Sequence, residues 1–196
     1  EYLKPNVAML TVSGPDNGGN YSLGTTMEGV MAAIETVRAD NGLVIAERNA
    51  QMPFVQGDTV PGSWIDYLLD TDYPLPVSPV QPPDEPARRI GRIIAGLFVK
   101  NRSTIQYGIG QVPEAVTDAI LEKGVNNLGI HTELFADAMR RLVDEGVVTN
   151  RFTSTRNKFS IASIFLAGNQ EGYDWLDYNS SVQSRPAYSM TKWVTP

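Results

Sequence analysis

The sequence has no cysteine and a single histidine, His131, among its 196 residues. These absences exclude a disulfide framework, a thiolate nucleophile and a cysteine metal site, and they argue against a zinc site. No apolar run reaches the ~20 residues that a membrane-spanning helix needs. Lys and Arg number 16 against 22 Asp and Glu, and the net charge of −6 is spread without long runs. Because nucleic-acid binding needs clustered basic residues, we predict no nucleic-acid partner. From the short apolar runs, the absence of Cys and the single His we also predict no membrane partner and no metal.

Proline is concentrated in residues 74–86, and this density predicts an extended linker, because neighbouring prolines favour polyproline structure over helix or sheet. The length allows one good-sized domain or two small ones, and the apolar content of 42% is sufficient for a buried core. We therefore predict that residues 1–73 are the end of a first α/β domain and that residues 87–196 form a second one.

Short apolar segments alternate with helical periods on both sides of this linker. Before it, the pattern predicts a strand over residues 7–13, a helix over 26–38 and a strand over 43–47. After it, apolar residues with helical spacing begin at Ile90, at Val112 and at Phe135. The predicted strands between and after these helices cover residues 103–107, 127–130, 146–149 and 160–167. Since strand and helix alternate, we predict an α/β fold of two partial open domains with mainly parallel sheets.

Two connections after predicted strands are candidates for chemistry. In residues 129–137, Glu133 lies where a strand is predicted to end and to pass directly into a helix. Open α/β sheets bind ligands outside the carboxyl ends of their strands, although the helix dipole alone also favours a carboxylate there. The turn Gly108-Ile109-Gly110 follows the preceding predicted strand. Its glycines either let backbone N–H groups approach a ligand or form a plain turn.

Three stretches, Tyr107–Val116, Leu128–Asp137 and Glu145–Asn150, carry a family resemblance. They resemble the acetyl-CoA hydrolase/transferase family, especially the 4-hydroxybutyrate-type CoA-transferases, and the similarity runs from near Asn6 to about Pro186. The resemblance implies that Glu133 is the catalytic nucleophile. Glutamate suits this chemistry, since a carboxylate can attack a thioester to give a mixed anhydride and then become a glutamyl-CoA thioester.

The resemblance further implies that Gly108, Ile109, Gly110 and Gly168 bind CoA or substrate. It implies transfer of CoA from an acyl-CoA to a small carboxylic acid, with the CoA thioester as substrate, no permanently bound cofactor, and a cytoplasmic location, or the mitochondrial matrix in a eukaryote. Hydrolysis of acyl-CoA by water and a non-catalytic fragment or subunit are the alternatives. Because family members are longer than this chain, we expect a homo-oligomer or completion by flanking segments, with apolar surface left uncovered in the isolated chain.

The remaining polar candidates each have a structural alternative. His131 could be a general base, but acyl transfer to a carboxylate needs no proton abstraction, so we favour a packing or orienting role. Glu47 and Asn49 either face a cleft between the domains or cap a loop. Thr191 is the nearest counterpart of an asparagine that family members commonly have in this region. Aromatic residues near the C-terminus are expected to pack rather than to form a ligand cage, namely Tyr173, Trp175 and Tyr178.

Overall fold

A computed structural model describes residues 4–153 and 158–191. Its first part contains a parallel sheet, a short antiparallel pair and one long helix. The elements are β1 (Val7–Val12), β2 (Asn20–Tyr21), α1 (Val30–Ala39), β3 (Leu43–Asn49), β4 (Val60–Pro61), a 3-10 turn (Gly62–Trp64) and β5 (Tyr67–Thr71). In the parallel sheet β3 lies between β1 and β5, and β2 pairs with β4.

The second part alternates helices with short strands that pair in parallel. The elements are α2 (Glu85–Phe98), β6 (Thr104–Ile105), α3 (Gln111–Lys123), β7 (Gly129–Ile130), β8 (Leu134–Ala136), α4 (Asp137–Asp144), β9 (Ser160–Ala162), β10 (Ile164–Leu166), α5 (Gln170–Leu176), β11 (Val182–Ser184) and α6 (Ala187–Thr191). The parallel pairs are β6 with β7, β8 with β10, and β9 with β11. This α/β architecture with mainly parallel sheets confirms the predicted fold class.

One face of the β1-β3-β5 sheet is packed and the other is open. Leu10 and Val44 are buried in the apolar cluster that α1 covers. On the opposite face the strand register aligns Met9 with Ile45 and Tyr67, and Met9 is 79% exposed. Parallel sheets in α/β proteins are normally covered on both faces, so this apolar face is unusual for a folded chain. It agrees with the expectation that part of the apolar surface is left uncovered.

The strand predicted over residues 160–167 is divided into β9 and β10, with Ser163 at the break. A matching break separates β7 from β8. There the carbonyl oxygen of Glu133 accepts hydrogen bonds from the N–H groups of Ser163 and Ile164, at 2.9 and 2.8 Å. A β-bridge between His131 and Ile161 joins the two strand segments just before each one breaks. The broken strands therefore run side by side and continue together as the β8–β10 pair.

Residues 72–84 form neither helix nor strand, as predicted for the proline-rich segment. The segment lies against the second part of the chain: the N–H of Ser78 donates to the carbonyl oxygen of Ala167 at 2.9 Å. Helix α2 begins at Glu85, slightly before the predicted end of the linker, because the Asp84 side chain caps it by accepting the N–H of Ala87 at 2.8 Å. Buried apolar residues form one cluster within residues 8–60 and another within 55–182, while the division into two domains remains a prediction.

Two predicted helix starts are wrong, and in both cases strand-like pairing competes with the helix. Helix α1 begins at Val30 rather than at residue 26, because the carbonyl oxygen of Thr25 accepts the N–H of Phe165 at 2.8 Å and Thr26 bridges the same strand. The helix predicted to open at Glu133 begins at Asp137, because residues 134–136 pair with β10. Phe135 is therefore a strand residue and not part of the helix.

Two further expectations differ from the structure in strand pairing and in burial. The strand predicted over residues 146–149 is reduced to one bridge between Leu128 and Val148. The helix predicted from Ile90 onwards is present as α2, but its large apolar side chains face outwards, and Phe98 is 71% exposed. The buried face of α2 consists of small residues that pack against α3, namely Ala87, Gly91 and Ala95.

Candidate functional site

Glu133 occupies the bend between β7 and β8, after two residues of parallel strand and before three more. Its main chain is fixed by the two hydrogen bonds from Ser163 and Ile164, while its side chain is exposed. The preceding residue, Thr132, is buried, and its hydroxyl donates to the carbonyl oxygen of Leu134 at 3.0 Å. A rigid backbone therefore presents a solvent-accessible carboxylate at the break in the strand.

The Gly108-Ile109-Gly110 turn follows β6, which pairs directly with the strand that leads to Glu133. Gly110 has a φ of +109° and precedes the first residue of α3, so the turn depends on a backbone conformation that favours glycine. Within residues 4–153 and 158–191, the N–H groups of these three residues have no hydrogen-bond acceptor. A Cβ atom built at Gly110 would meet only open space. The turn thus presents free donors beside a helix N-terminus, the arrangement that binds anions and polarised carbonyl oxygens.

A cavity of about 230 Å³ lies at this helix N-terminus. It brings together Gly110 on one strand-to-helix turn and Asp137 on another, with the proline-rich segment as a third wall. Its lining residues are Ser78, Pro79, Val80, Gln81, Ile109, Gly110, Gln111, Glu114, Ala136, Asp137 and Leu166. Ile109 and Gly110 are thus in the cavity, whereas Glu133 is not among the described residues that line it. Because β6, which leads to the glycine turn, pairs with β7, which leads to Glu133, we predict that Glu133 lies near the turn.

Gly168 follows β10, as Asp137 follows the paired strand β8. The N–H of Gly168 donates to Oδ2 of Asp137 at 2.7 Å. A Cβ atom at Gly168 would lie 2.7 Å from the same oxygen and 3.4 Å from the carbonyl oxygen of Ser78. Gly168 therefore stands close to the cavity wall, but its N–H is already used by Asp137 and is not free to bind an oxyanion.

Glu114 is an ionisable residue of the cavity that the sequence interpretation missed. It is 8% exposed, and its Oε2 lies 3.4 Å from Nη1 of Arg141. Burial raises the pKa of Glu114, the Arg141 charge opposes this shift, and the nearby carboxylates of Asp118 and Asp137 add to it. Glu114 and Asp137 thus add acidic, hydrogen-bond-accepting groups to the cavity that Gly110 also lines.

Tyr107 directly precedes the turn and does not line the cavity. Its hydroxyl shares a hydrogen bond of 2.7 Å with the Thr117 hydroxyl, and burial raises the pKa of Tyr107. The tyrosine therefore stays neutral and holds the start of the turn against α3. Asp137 and Glu114 belong to the motif stretches quoted above, which is the one sequence signal that could have singled them out. Ser163 carried no such signal. Its N–H bonds to the Glu133 carbonyl oxygen, and its buried hydroxyl has no hydrogen-bond partner within the described residues.

His131 is half-buried on the bridge between β7 and β9. Burial lowers the pKa of His131, which favours the neutral imidazole at pH 7. A neutral ring in the strand beneath the Glu133 bend is consistent with the packing or orienting role that we favour for it. That role remains a prediction.

The two candidates of the first sheet differ in setting. Glu47 lines a wide groove of about 530 Å³ over the open sheet face, and it accepts a hydrogen bond from the Tyr73 hydroxyl at 2.9 Å. Asn49 is buried, and its side chain bonds to the main chain of Tyr73 and accepts the N–H of Gln51 at 3.0 Å. Asn49 therefore has the geometry of a loop cap, and Glu47 faces a groove that Glu133 does not line.

The C-terminal aromatic residues do not form a common ring around a ligand. Tyr173 is buried in the core, and Trp175 stacks on Phe135 at 6.0 Å. Tyr178 instead stacks on Phe54 at 4.6 Å. Thr191 ends α6, and its side chain lies outside the described residues. In the part of the chain that is described, no cluster of three or more His, Asp or Glu side chains could hold a metal ion.

Comparison with known proteins finds CoA-transferases both among the sequence relatives and among the solved structures. The chain is 32% identical over 185 residues to a succinyl-CoA:acetate/propanoyl-CoA:succinate CoA transferase of Fasciola hepatica, and 35% identical over 185 residues to a 4-hydroxybutyrate coenzyme A transferase of Clostridium kluyveri. These alignments cover 93% of this chain but 37% and 41% of the relatives. A solved 4-hydroxybutyrate CoA-transferase from Porphyromonas gingivalis superposes with a TM-score of 0.86 at 31% identity, covering 96% of this chain and 46% of that protein.

The chain thus spans less than half the length of these relatives. Within the described ranges no helix has the length and apolar character to cross a membrane. The family model described as malonate decarboxylase, alpha subunit, transporter matches residues 2–136. The chain therefore belongs to the malonate decarboxylase alpha subunit family, and the resemblance to 4-hydroxybutyrate-type CoA-transferases that its motifs predicted is confirmed.

Proposed function

We propose that this chain carries the nucleophile of a CoA-transferase that moves CoA from an acyl-CoA to a small carboxylic acid. The observation that carries the proposal is the exposed Glu133 carboxylate, held by a fixed main chain at a strand break, in a chain whose relatives are named CoA transferases. An exposed carboxylate can reach a thioester that enters from solvent. The proposal extends to Glu133 the role that its motif implies.

The reaction has two halves, one with the acyl donor and one with the acceptor, and the Glu133 carboxylate takes part in both. A Glu133 oxygen attacks the thioester carbonyl, the C–S bond breaks, and a mixed anhydride and CoA thiolate form. The thiolate then attacks the Glu133 carbonyl carbon, which releases the donor carboxylate and leaves a glutamyl-CoA thioester. The acceptor carboxylate attacks the glutamyl carbonyl of this thioester, and the C–S bond breaks to give a second mixed anhydride and CoA thiolate. The thiolate then attacks the acceptor carbonyl of the anhydride and expels the Glu133 carboxylate. These last steps regenerate Glu133 and produce the new acyl-CoA, with no net proton transfer.

Each tetrahedral intermediate carries an oxyanion that needs hydrogen-bond donors. The N–H groups of Gly108, Ile109 and Gly110 are free for this role within the described chain, and a well-placed donor contributes about 3–4 kcal/mol to the stability of such a transition state. Gly168 is a weaker candidate donor, because its N–H is bonded to Asp137. We therefore assign the donors to the glycine turn and give Gly168 a role in shaping the cavity wall.

His131 takes no proton in this scheme, because a carboxylate nucleophile is already deprotonated. The chain covers 37–46% of the length of these relatives. We propose that an assembly of longer chains or of several copies completes the CoA-binding surface.

Replacement of Glu133 by glutamine tests the proposal, because it removes the anionic nucleophile and retains side-chain size. The assay is CoA transfer from succinyl-CoA to acetate, the pair named for the Fasciola hepatica relative. It uses the 196-residue chain and a chimera in which this chain replaces the matched 185 residues of the Clostridium kluyveri enzyme. We expect the chimera to transfer CoA and Glu133→Gln to abolish transfer with the fold unchanged.

Glu145→Gln is the matched control, since Glu145 is an exposed glutamate at the end of α4. It should retain full activity. Full transfer activity in Glu133→Gln would refute the mechanism. Loss of succinyl-CoA without formation of acetyl-CoA would indicate that the enzyme hydrolyses acyl-CoA instead of transferring CoA, with Glu133 still as the nucleophile.

A further inference from the structure

Strand β6 is an edge strand whose outer side has no partner within the described residues. The N–H groups of Gly129 and His131 bond to the carbonyl oxygens of Ser103 and Ile105, at 3.0 and 3.2 Å, so these atoms face β7. In a parallel pair alternate residues direct their main-chain groups to opposite sides, so those of Thr104 point away from β7. Neither the N–H nor the carbonyl oxygen of Thr104 makes a hydrogen bond within residues 4–153 and 158–191. The next outward-facing residue, Gln106, is equally unpaired.

An apolar groove of about 470 Å³ runs beside this open edge, between α2 and α3. Its lining residues are Ile94, Phe98, Val99, Ser103, Thr104, Ile105, Gln106, Tyr107, Val112, Pro113, Val116 and Ile120. A strand added to β6 would direct alternate side chains into such a groove, which is how β-augmentation combines main-chain pairing with side-chain recognition.

Helix α2 extends the groove with an outward apolar stripe that cannot turn inwards. Its opposite face is locked: a Cβ atom at Gly91 would lie 2.5 Å from the main chain of Ala115, and Nζ of Lys123 donates to three carbonyl oxygens at the end of α2. Because small residues fill that face, the large ones stay in solvent. The exposed residues are Ile90, Ile93, Leu97 and Phe98.

We infer that β6 accepts an additional β-strand, and that the apolar groove and the α2 stripe are covered by the same incoming polypeptide. The occupant is an extended segment with alternate apolar side chains, from the part of the family fold that lies outside these 196 residues. The alignment coverage supports this choice over a second copy: the fold matches a transferase with a TM-score of 0.86, yet this chain accounts for 46% of that protein. One strand also satisfies both the unpaired main chain and the apolar groove.

Amide hydrogen exchange on the isolated chain, with overlapping peptides that tile the whole Clostridium kluyveri transferase, tests the inference. Without peptide, the Thr104 and Gln106 amides should exchange freely, whereas the His131 amide, bonded to Ile105, serves as the protected reference. A peptide from outside the matched 185 residues should bind and slow exchange at Thr104 and Gln106 by about tenfold or more. Peptides from inside the matched region should have no effect.

Two variants separate the open edge from the apolar stripe. Thr104→Pro removes the outward N–H and leaves the Ile105 ladder to β7, and Phe98→Asp places a charge on the stripe without changing a buried residue. Each should weaken peptide binding by about tenfold or more, an amount typical of a lost interface contact. Val77→Asp, an exposed apolar residue on the proline-rich segment, is the control and should bind as the parent chain does.

Absence of any protecting peptide, or equal binding to Phe98→Asp and the parent chain, would overturn the inference. Light scattering of the isolated chain tests whether a second copy of the chain occupies the edge instead. A dimer whose Thr104 and Gln106 amides are protected in the absence of peptide would assign the edge to a second copy and would equally overturn it.

Discussion

Gly91 of α2 packs against Ala115 of α3, and its replacement by alanine measures that packing. The new Cβ atom would lie 2.5 Å from the carbonyl carbon of Ala115, 2.6 Å from its oxygen and 2.8 Å from its Cβ. Main-chain atoms of a neighbouring helix cannot rotate away as a side chain can. One of the two helices must therefore shift, and a substitution that overfills a packed contact typically costs about 1–3 kcal/mol.

Gly96 supplies the matched control within the same helix. It is exposed, and a Cβ atom there would have nothing within 4 Å, so alanine should add only the intrinsic helical gain of about 1 kcal/mol. The same gain is available at Gly91. The difference in unfolding free energy between Gly91→Ala and Gly96→Ala therefore isolates the clash, and we expect Gly91→Ala to be the less stable variant by about 1–3 kcal/mol.

Urea unfolding followed by circular dichroism gives this difference, provided that the dependence of free energy on denaturant is the same for both variants. Equal stabilisation by the two alanines would refute the α2–α3 contact. It would also remove the reason why the Ile90, Ile93 and Leu97 side chains face solvent.

Three further predictions concern single side chains. Asp84→Ala removes the cap that accepts the Ala87 N–H, so the unfolding free energy should fall by about 1 kcal/mol; an unchanged value would mean that the cap does not form in solution. Asp137→Ala leaves the Gly168 N–H without its acceptor, which should cost about 1–3 kcal/mol, and unchanged stability would contradict this bond. Because burial raises the pKa of Glu114, the folded chain binds this proton more tightly than the unfolded chain, and stability should fall as pH rises from the ordinary carboxyl pKa to the raised one. Glu114→Gln should lack that fall in urea unfolding measured across pH, and identical pH profiles in the two proteins would show that the pKa is not raised.

The sequence was most informative where local chemistry alone decides the structure. Helical spacing from Ile90 and from Val112 predicted two helices, which the structure contains as α2 and α3. Gly110 and Gly124 bracket α3, and both have positive φ, as residues at such turns require. The alternation of these helices with short apolar segments correctly predicted a mainly parallel α/β fold.

The break at Glu133 could not be predicted because it depends on a strand that is distant in sequence. Residues 129–137 contain an apolar run and a helical period, and nothing local separates a direct strand-to-helix passage from a bend followed by three more strand residues. The bend forms because the N–H groups of Ser163 and Ile164 bond to the Glu133 carbonyl oxygen. The motif identified the residue, but only the long-range pairing shows how it is held.

Helical spacing likewise indicated that α2 forms but could not show which of its faces is buried. The apolar residues at Ile90, Ile93 and Leu97 suggest a core stripe, whereas the structure buries the smaller residues Ala87 and Gly91 against α3. Periodicity shows that one face of a helix is apolar, but the tertiary structure decides which face packs against another element. Asp137 and Glu114 were missed for the same reason, since their importance arises from a cavity that three distant segments form together.

Covalent trapping of the nucleophile tests the proposed function most directly. The chimera that transfers CoA would be mixed with succinyl-CoA in the absence of acetate and then treated with borohydride, which reduces a glutamyl-CoA thioester to an alcohol. Mass spectrometry of a peptide digest should find this reduction at Glu133 alone among the carboxylates, and Glu133→Gln should abolish it. Reduction at Glu47 or at another carboxylate, or an active enzyme without any reduced carboxylate, would contradict the assignment of Glu133 as the nucleophile.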